Sequence, residues 1–139
     1  MVAVVGYIPT PEGRAAIEQA VAEAQTRGLT LLIVNATRGD ALVDPRFASS
    51  TQMSSLDDFL TESGVTHESV QLVEGLDPAE QVLHVAESRN AELIVIGLRR
   101  RTPVGKLIMG SVAQKILLEA SCPVLAVKAA DSHHHGWRR

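Results

Sequence analysis

The sequence has little of what marks several classes of protein. One cysteine, Cys122, stands among 139 residues, which excludes an intramolecular disulfide framework and indicates a reducing compartment. The formal net charge is only −3, so we expect no nucleic-acid partner. No apolar run reaches the roughly 18–20 residues of a membrane span, and the first residues do not resemble a signal peptide. These absences predict a soluble, cytoplasmic protein that does not bind membranes.

What the chain does contain is aliphatic. Hydrophobic residues make up 45% of the sequence but aromatic residues only 3%, so Ala, Val, Leu and Ile must fill the core. This composition suits a parallel sheet covered by helices better than a β-sandwich. The length fits one domain.

Short β-branched runs alternate with longer segments of helical period. The predicted strands cover residues 2–7, 29–36, 67–73, 91–98 and 122–127. Four helices lie between them: one from the Thr10-Pro11 cap to Gly28, one over residues 50–62, one that begins at Asp77-Pro78, and one over residues 111–120. The chain between residues 37 and 50 is expected to be a connecting loop.

Five strands alternating with four helices predict a single-domain α/β fold, a doubly wound five-stranded parallel sheet with right-handed crossovers. We assign this domain to residues 1–128 and expect residues 129–139, with three adjacent histidines, to be a disordered tail. In such folds ligands bind beyond the carboxyl ends of the strands. Those ends fall near Ile8, at Asn35 and after Gly97.

The segment 97–111 is the most informative. It leaves a buried strand, carries four cations, and delivers Gly110-Ser111 to the start of a helix, whose unpaired N–H groups and dipole favour an anion. A glycine at that point admits a phosphate to the backbone, so the segment indicates a phosphate cradle. It is not a Walker loop, because Lys106 does not occupy the Gly-Lys-Ser/Thr position. The candidate ligand-binding residues are Gly97, Arg99, Arg100, Gly110, Ser111 and Val112, with Asn35 as a further contact to a base.

The order of elements and the stretch "ELIVIGLRRR…GKLIMGSVAQKILLEASCPVLAVK" resemble the universal stress protein family. In that family a glycine, two residues, a second glycine, nine residues and Gly-Ser or Gly-Thr bind the phosphates and ribose of ATP. The spacing from Gly97 to Gly110-Ser111 matches. The resemblance implies a Rossmann-like fold of the adenine nucleotide alpha hydrolase type, an ATP-type adenine nucleotide as ligand, and a homodimer formed through the last strand.

Two positions depart from the family pattern. Arg100 replaces the second motif glycine, and Ile8 stands where nucleotide-binding members carry an aspartate after the first strand. Because Ile8 cannot accept hydrogen bonds from a base or ribose, a degenerate member that works as a dimeric protein-interaction module remains an alternative. An enzyme of the same fold is a further alternative, but the chain lacks a nucleophile–base–orienter set and a His- or Lys-bearing phosphate motif after the first strand.

The remaining polar features have simpler interpretations. His67 and His84 have no Cys, His or carboxylate partner at the sequence spacing of a metal site, so no metal is expected. Asp57 and Asp58 are neighbours on a helix and face different directions, so they form no dyad. Cys122 is interpreted as a buried structural thiol.

Overall fold

The computed structural model describes residues 1–35, 50–70, 75–98 and 110–129 of the chain. Strands and helices alternate along these residues. The strands are β1 (Val2–Tyr7), β2 (Thr30–Asn35), β3 (His67–Ser69), β4 (Leu93–Leu98) and β5 (Val124–Lys128). The helices are α1 (Pro11–Arg27), α2 (Ser50–Glu62), α3 (Pro78–Ser88) and α4 (Ser111–Glu119). None of the helices in the described ranges is long and apolar enough to cross a membrane.

The five strands form one sheet in the order β3-β2-β1-β4-β5, and every pairing is parallel. The chain begins in the centre with β1, moves outward to β3, and then crosses back to place β4 on the other side of β1. The predicted doubly wound α/β fold is therefore confirmed. The strand order reverses between β1 and β4, and this is the point at which such sheets open a crevice for ligands.

Two hydrophobic cores cover the two faces of the sheet. Because successive side chains of a strand point to opposite faces, β1 contributes Ala3 and Val5 to one core and Val4 to the other. Helices α1 and α2 close the first core, and α3 and α4 close the second. Ile17 and Ile116, one from each core, are fully buried. Burial on both faces is the reason why the central strands are apolar throughout.

The predicted helix caps are present. The Thr10 hydroxyl accepts a hydrogen bond from the Gly13 N–H at 3.1 Å, and Gly28 ends α1 in the left-handed conformation, with φ of 69°. At α3 the Asp77 carboxylate accepts from the Glu80 N–H at 2.8 Å, while the Glu80 carboxylate accepts from the Asp77 N–H at 3.0 Å. These two reciprocal bonds make a capping box.

Some strands are shorter than predicted. Leu29 and Ala91 were expected to begin strands, but their N–H groups bond back to the carbonyls of Ala24 and Ala86 and so complete the ends of helices. The third strand is paired over His67–Ser69 and lies at the sheet edge, as its alternating pattern predicts. The connection predicted over residues 37–50 falls almost entirely outside the described residues, as do residues 71–74 and 130–139.

Candidate functional site

A cavity of about 380 Å³ opens beyond the carboxyl ends of β1 and β4, where the strand order reverses. Its volume is that of a small-molecule site. The described residues that line it come from these two strand ends, from the first turns of α1 and α3, and from the first two turns of α4: Gly6, Ile8, Glu12, Gly13, Asp77, Pro78, Ala79, Ile96, Gly97, Gly110, Ser111, Val112, Ala113, Lys115 and Ile116.

Three helices direct their N-termini at this cavity, but only one of the three lacks a side-chain cap. Thr10 caps α1, and the capping box of Asp77 caps α3. The cap residue of α4 is Gly110, which has no side chain to offer an acceptor. The first amides of α4 therefore have no acceptor among the described residues, and they and the helix dipole favour an anion at this end of the cavity.

The conformation of Gly110 does not require a glycine. Its φ is −71° and its ψ 165°, which any residue adopts, and a Cβ at this position would meet no described atom within 4 Å. Neither backbone strain nor packing against the described residues explains why the position has no side chain. A glycine here leaves open the space in front of the α4 amides, as a phosphate that touches the backbone requires.

Gly97 has a different role, because it is needed for packing. A Cβ at this position would overlap the carbonyl oxygen of Glu12 and lie 2.6 Å from its carbonyl carbon. Gly13 is equally constrained, since its Cβ would overlap the carbonyl oxygen of Ile8. These two glycines let the first turn of α1 lie directly on the ends of β1 and β4, and this contact forms one wall of the cavity.

The charges at the cavity mouth are partly paired. The Lys115 ammonium lies 3.3 Å from a Glu80 carboxylate oxygen and 3.5 Å from an Asp77 oxygen, which ties α4 to the start of α3. The backbone N–H of Glu80 is the main cause that lowers the pKa of Asp77, and the Lys115 charge adds to it. The hydrogen bond to Glu80 raises the pKa of Lys115. Glu12 also lines the cavity, but it makes no ion pair or side-chain hydrogen bond with any described residue.

The structure brings together four of the seven residues predicted from sequence: Gly97, Gly110, Ser111 and Val112 line the cavity. Arg99 and Arg100 lie outside the described residues. Asn35 ends β2, one strand away from the switch point, and does not line the cavity. Its side-chain oxygen is buried without a partner among the described residues.

Glu12, Gly13, Asp77 and Lys115 were not predicted as site residues. Lys115 follows Ser111 by one helical turn, so the two share a face of α4, and this spacing was the available signal. For Asp77 the sequence indicates only a capping or a solvated carboxylate. The position of Glu12 depends on how tightly α1 packs on β4, which sequence patterns do not show.

Away from the cavity, the fold gives His67 a carboxylate partner that lies at no metal-site spacing in the sequence. Its Nε2 lies 2.6 Å from Asp57 Oδ1, and its Nδ1 lies 3.0 Å from the Val65 carbonyl oxygen. The contact joins α2 to the edge strand across ten residues, so no local spacing reveals it. Cys122 is partly buried against the second core rather than fully buried, and burial raises the pKa of its thiol.

The fold and the cavity define a doubly wound α/β protein with an uncapped helix terminus in a cavity at its switch point. A model of the universal stress protein family matches residues 1–128. A universal stress protein of Mycolicibacterium smegmatis is 53% identical over 125 residues, which cover 90% of this chain and 95% of that protein. The chain belongs to the universal stress protein family.

Solved structures of universal stress proteins share the fold. One from Archaeoglobus fulgidus superposes with a TM-score of 0.74 at 29% identity, covering 92% of this chain and 98% of the other. An Archaeoglobus fulgidus universal stress protein in complex with dAMP has a TM-score of 0.68 at 24% identity, with the same coverage. A cAMP complex (TM-score 0.67, 18% identity, covering 93% of this chain and 98% of the other) and an AMP-bound protein from Arabidopsis thaliana (0.60, 15%, covering 94% and 93%) are more distant.

Proposed function

We propose that this protein binds an adenine nucleotide in the cavity between β1, β4 and α4, with a phosphate at the N-terminus of α4. The observation that carries the proposal is the uncapped first turn of α4, which opens through Gly110 into a cavity at the switch point. Backbone N–H groups aimed at one place bind a phosphate well. The Ser111 hydroxyl adds a side-chain donor beside these amides.

Membership of the family supports the choice of an adenine nucleotide, since relatives of the same fold have been solved with dAMP, cAMP and AMP. More specifically, we propose an ATP-type ligand, which carries further phosphates. The aliphatic side chains of Ile8, Ile96 and Val112 line the cavity and offer an apolar surface against which a base can pack.

The test is the change in melting temperature with AMP, ADP, ATP and cAMP, followed by titration calorimetry. A ligand that binds only the folded state at 100 times its Kd stabilises it by about 2.7 kcal/mol. Gly110→Leu should abolish the shift, because its side chain enters the space in front of the α4 amides. Gln114→Leu is the matched control, since Gln114 is exposed on the same helix and does not line the cavity.

Two results would refute the proposal. A wild-type protein whose melting temperature does not change at millimolar nucleotide has no functional nucleotide site. A folded Gly110→Leu protein with unchanged affinity would place the ligand elsewhere.

We further propose a homodimer formed through β5. This strand lies at the sheet edge and pairs only with β4 among the described strands. Its four apolar residues, Val124 to Val127, are only partly buried, and an apolar edge with unpaired backbone groups favours association. Sedimentation should give the mass of a dimer. A dimer that binds no nucleotide would instead favour the protein-interaction module.

We expect binding without dedicated turnover, because the sequence offers no nucleophile–base–orienter set. Release of labelled phosphate from ATP above a trace rate would contradict this. A cytoplasmic location remains our proposal and rests on the single cysteine, Cys122.

A further inference from the structure

We infer that Glu12 supplies the carboxylate that accepts hydrogen bonds from the sugar hydroxyl groups of the bound nucleotide. The inference rests on the proposed nucleotide site and assigns a specificity-determining residue within it. Ile8, at the family's acidic position, cannot make such bonds. Glu12 lies four residues further along, in the first turn of α1, and lines the same cavity as Ile8.

The backbone of Glu12 is fixed at the switch point. Its carbonyl group packs against Gly97 at the end of β4, at a distance that leaves no room for a Cβ there. The next residue, Gly13, packs with the same closeness on the carbonyl of Ile8 at the end of β1. Glu12 is therefore held between the two strands whose ends form the crevice, within the same lining as the α4 amides.

The other charges of the described lining are already paired. Asp77 caps α3 and contacts Lys115, and Lys115 also contacts Glu80. Glu12 alone among the charged residues of this described lining has no ion-pair or hydrogen-bond partner in the described part of the chain. An unpaired carboxylate beside an anion site weakens anion binding unless the ligand presents hydrogen-bond donors to it. A sugar with free hydroxyl groups presents such donors, as it does to the acidic residue of dinucleotide-binding folds.

The sign of one mutational effect tests the inference. Glu12→Gln removes the charge and keeps the shape of the side chain. If the carboxylate accepts sugar hydroxyls, this change should weaken AMP binding about fivefold, because the amide oxygen of Gln still accepts a hydrogen bond but more weakly than a charged carboxylate does. Glu12→Gln should leave the affinities for 2′,3′-dideoxy-AMP and inorganic phosphate unchanged or should raise them. Neither ligand has sugar hydroxyl groups to bond to the carboxylate, so the change only removes the repulsion between the carboxylate and the phosphate.

The matched control is Glu23→Gln, which removes the same charge from the same helix outside the cavity and should leave all three affinities unchanged. Glu12 is also an acidic residue in the first turn of α1, so Glu12→Gln should lower the melting temperature without ligand. That loss of stability does not alter the ratio of the affinities for AMP and 2′,3′-dideoxy-AMP, which is the quantity that tests the inference.

Three outcomes would overturn the inference. Tighter binding of AMP by Glu12→Gln would show that the carboxylate only repels the ligand. Equal loss for AMP and 2′,3′-dideoxy-AMP, or a wild-type protein that binds both equally, would show that the sugar hydroxyls are not used. A wild-type protein that binds phosphate but neither nucleotide would refute the proposed function itself, and the assignment of Glu12 with it.

Discussion

The two motif glycines, Gly97 and Gly110, should differ in their response to the same small change: substitution by alanine should destabilise the protein at Gly97 and leave its stability nearly unchanged at Gly110. Gly97→Ala places a methyl group against the Glu12 carbonyl, whose carbon would lie 2.6 Å from the new Cβ. The new methyl group is fixed to the backbone of β4, and the carbonyl group is part of the backbone of α1. Neither can therefore move away without displacing α1 from β4. Overpacking of this kind costs about 1–3 kcal/mol. An unfolding entropy of about 2.1 cal/mol/K per residue converts this cost to a loss of roughly 3–10 °C in melting temperature.

Gly110→Ala is the matched control, because it makes the same chemical change in the same motif. The new Cβ meets no described atom within 4 Å, and the φ of −71° suits an alanine. Alanine is a poor helix cap, but it also reduces the entropy of the unfolded chain, and these two effects of up to about 1 kcal/mol oppose each other. We therefore expect the melting temperature to stay within a few degrees of the wild type.

Thermal unfolding followed by circular dichroism, without ligand, measures both variants. A Gly97→Ala protein as stable as the wild type would refute the reasoning, since α1 could then not lie as closely on β4 as the structure has it. Equal losses for both variants would do the same, because the packing argument predicts a difference between them.

Two further predictions concern pH and capping. Both ring nitrogens of His67 face hydrogen-bond acceptors, and only the protonated ring can donate to both. Burial lowers the pKa of His67, but the bonds to the Val65 carbonyl and the Asp57 carboxylate have the larger combined effect and raise it. The contact therefore contributes its full stability below the unfolded-state pKa of about 6.5, and this contribution is lost as the pH rises through the higher folded-state pKa. Between these two pKa values, the melting temperature of the wild type should fall relative to that of Asp57→Asn. Parallel wild-type and variant profiles would contradict this. Asp77→Ala should lower the free energy of unfolding, measured in urea at neutral pH, by about 1 kcal/mol. Because the folded-state pKa of Asp77 is lowered, protonation at low pH removes the stability that the carboxylate contributes, so the loss should become smaller as the pH falls. A loss that does not depend on pH would show that the carboxylate charge adds nothing to the cap.

The elements of the fold could be predicted because each has a local cause. Thr10-Pro11 and Asp77-Pro78 start their helices through bonds within four residues, and burial on both faces makes the central strands uniformly apolar. Errors arose where two local causes compete for the same residue. Leu29 is apolar enough for a strand, but its N–H completes the end of α1.

The site could be predicted only in the part that belongs to one continuous segment. Gly97, Gly110 and Ser111 stand at a spacing that the sequence displays. The contacts of Lys115 with Asp77, and of His67 with Asp57, join different elements, and they depend on how helices pack on the sheet. Contacts between residues of different elements depend on the order of the strands in the sheet, and the alternation of strands and helices along the chain does not determine that order.

The division of the site between backbone and side chains has a consequence for specificity. In the proposed site, amides of α4 form the phosphate end, and a substitution changes these amides only if it adds bulk, as at Gly110. The opposite end is formed by side chains of the first turn after β1, where Ile8 and Glu12 line the cavity. Exchange of residues there can change which sugar or base is recognised without disturbing the phosphate contact. Ile8 at the family's acidic position is therefore compatible with the proposed nucleotide site, provided that another carboxylate in this turn binds the sugar. Glu12 is the carboxylate of this turn that lines the cavity.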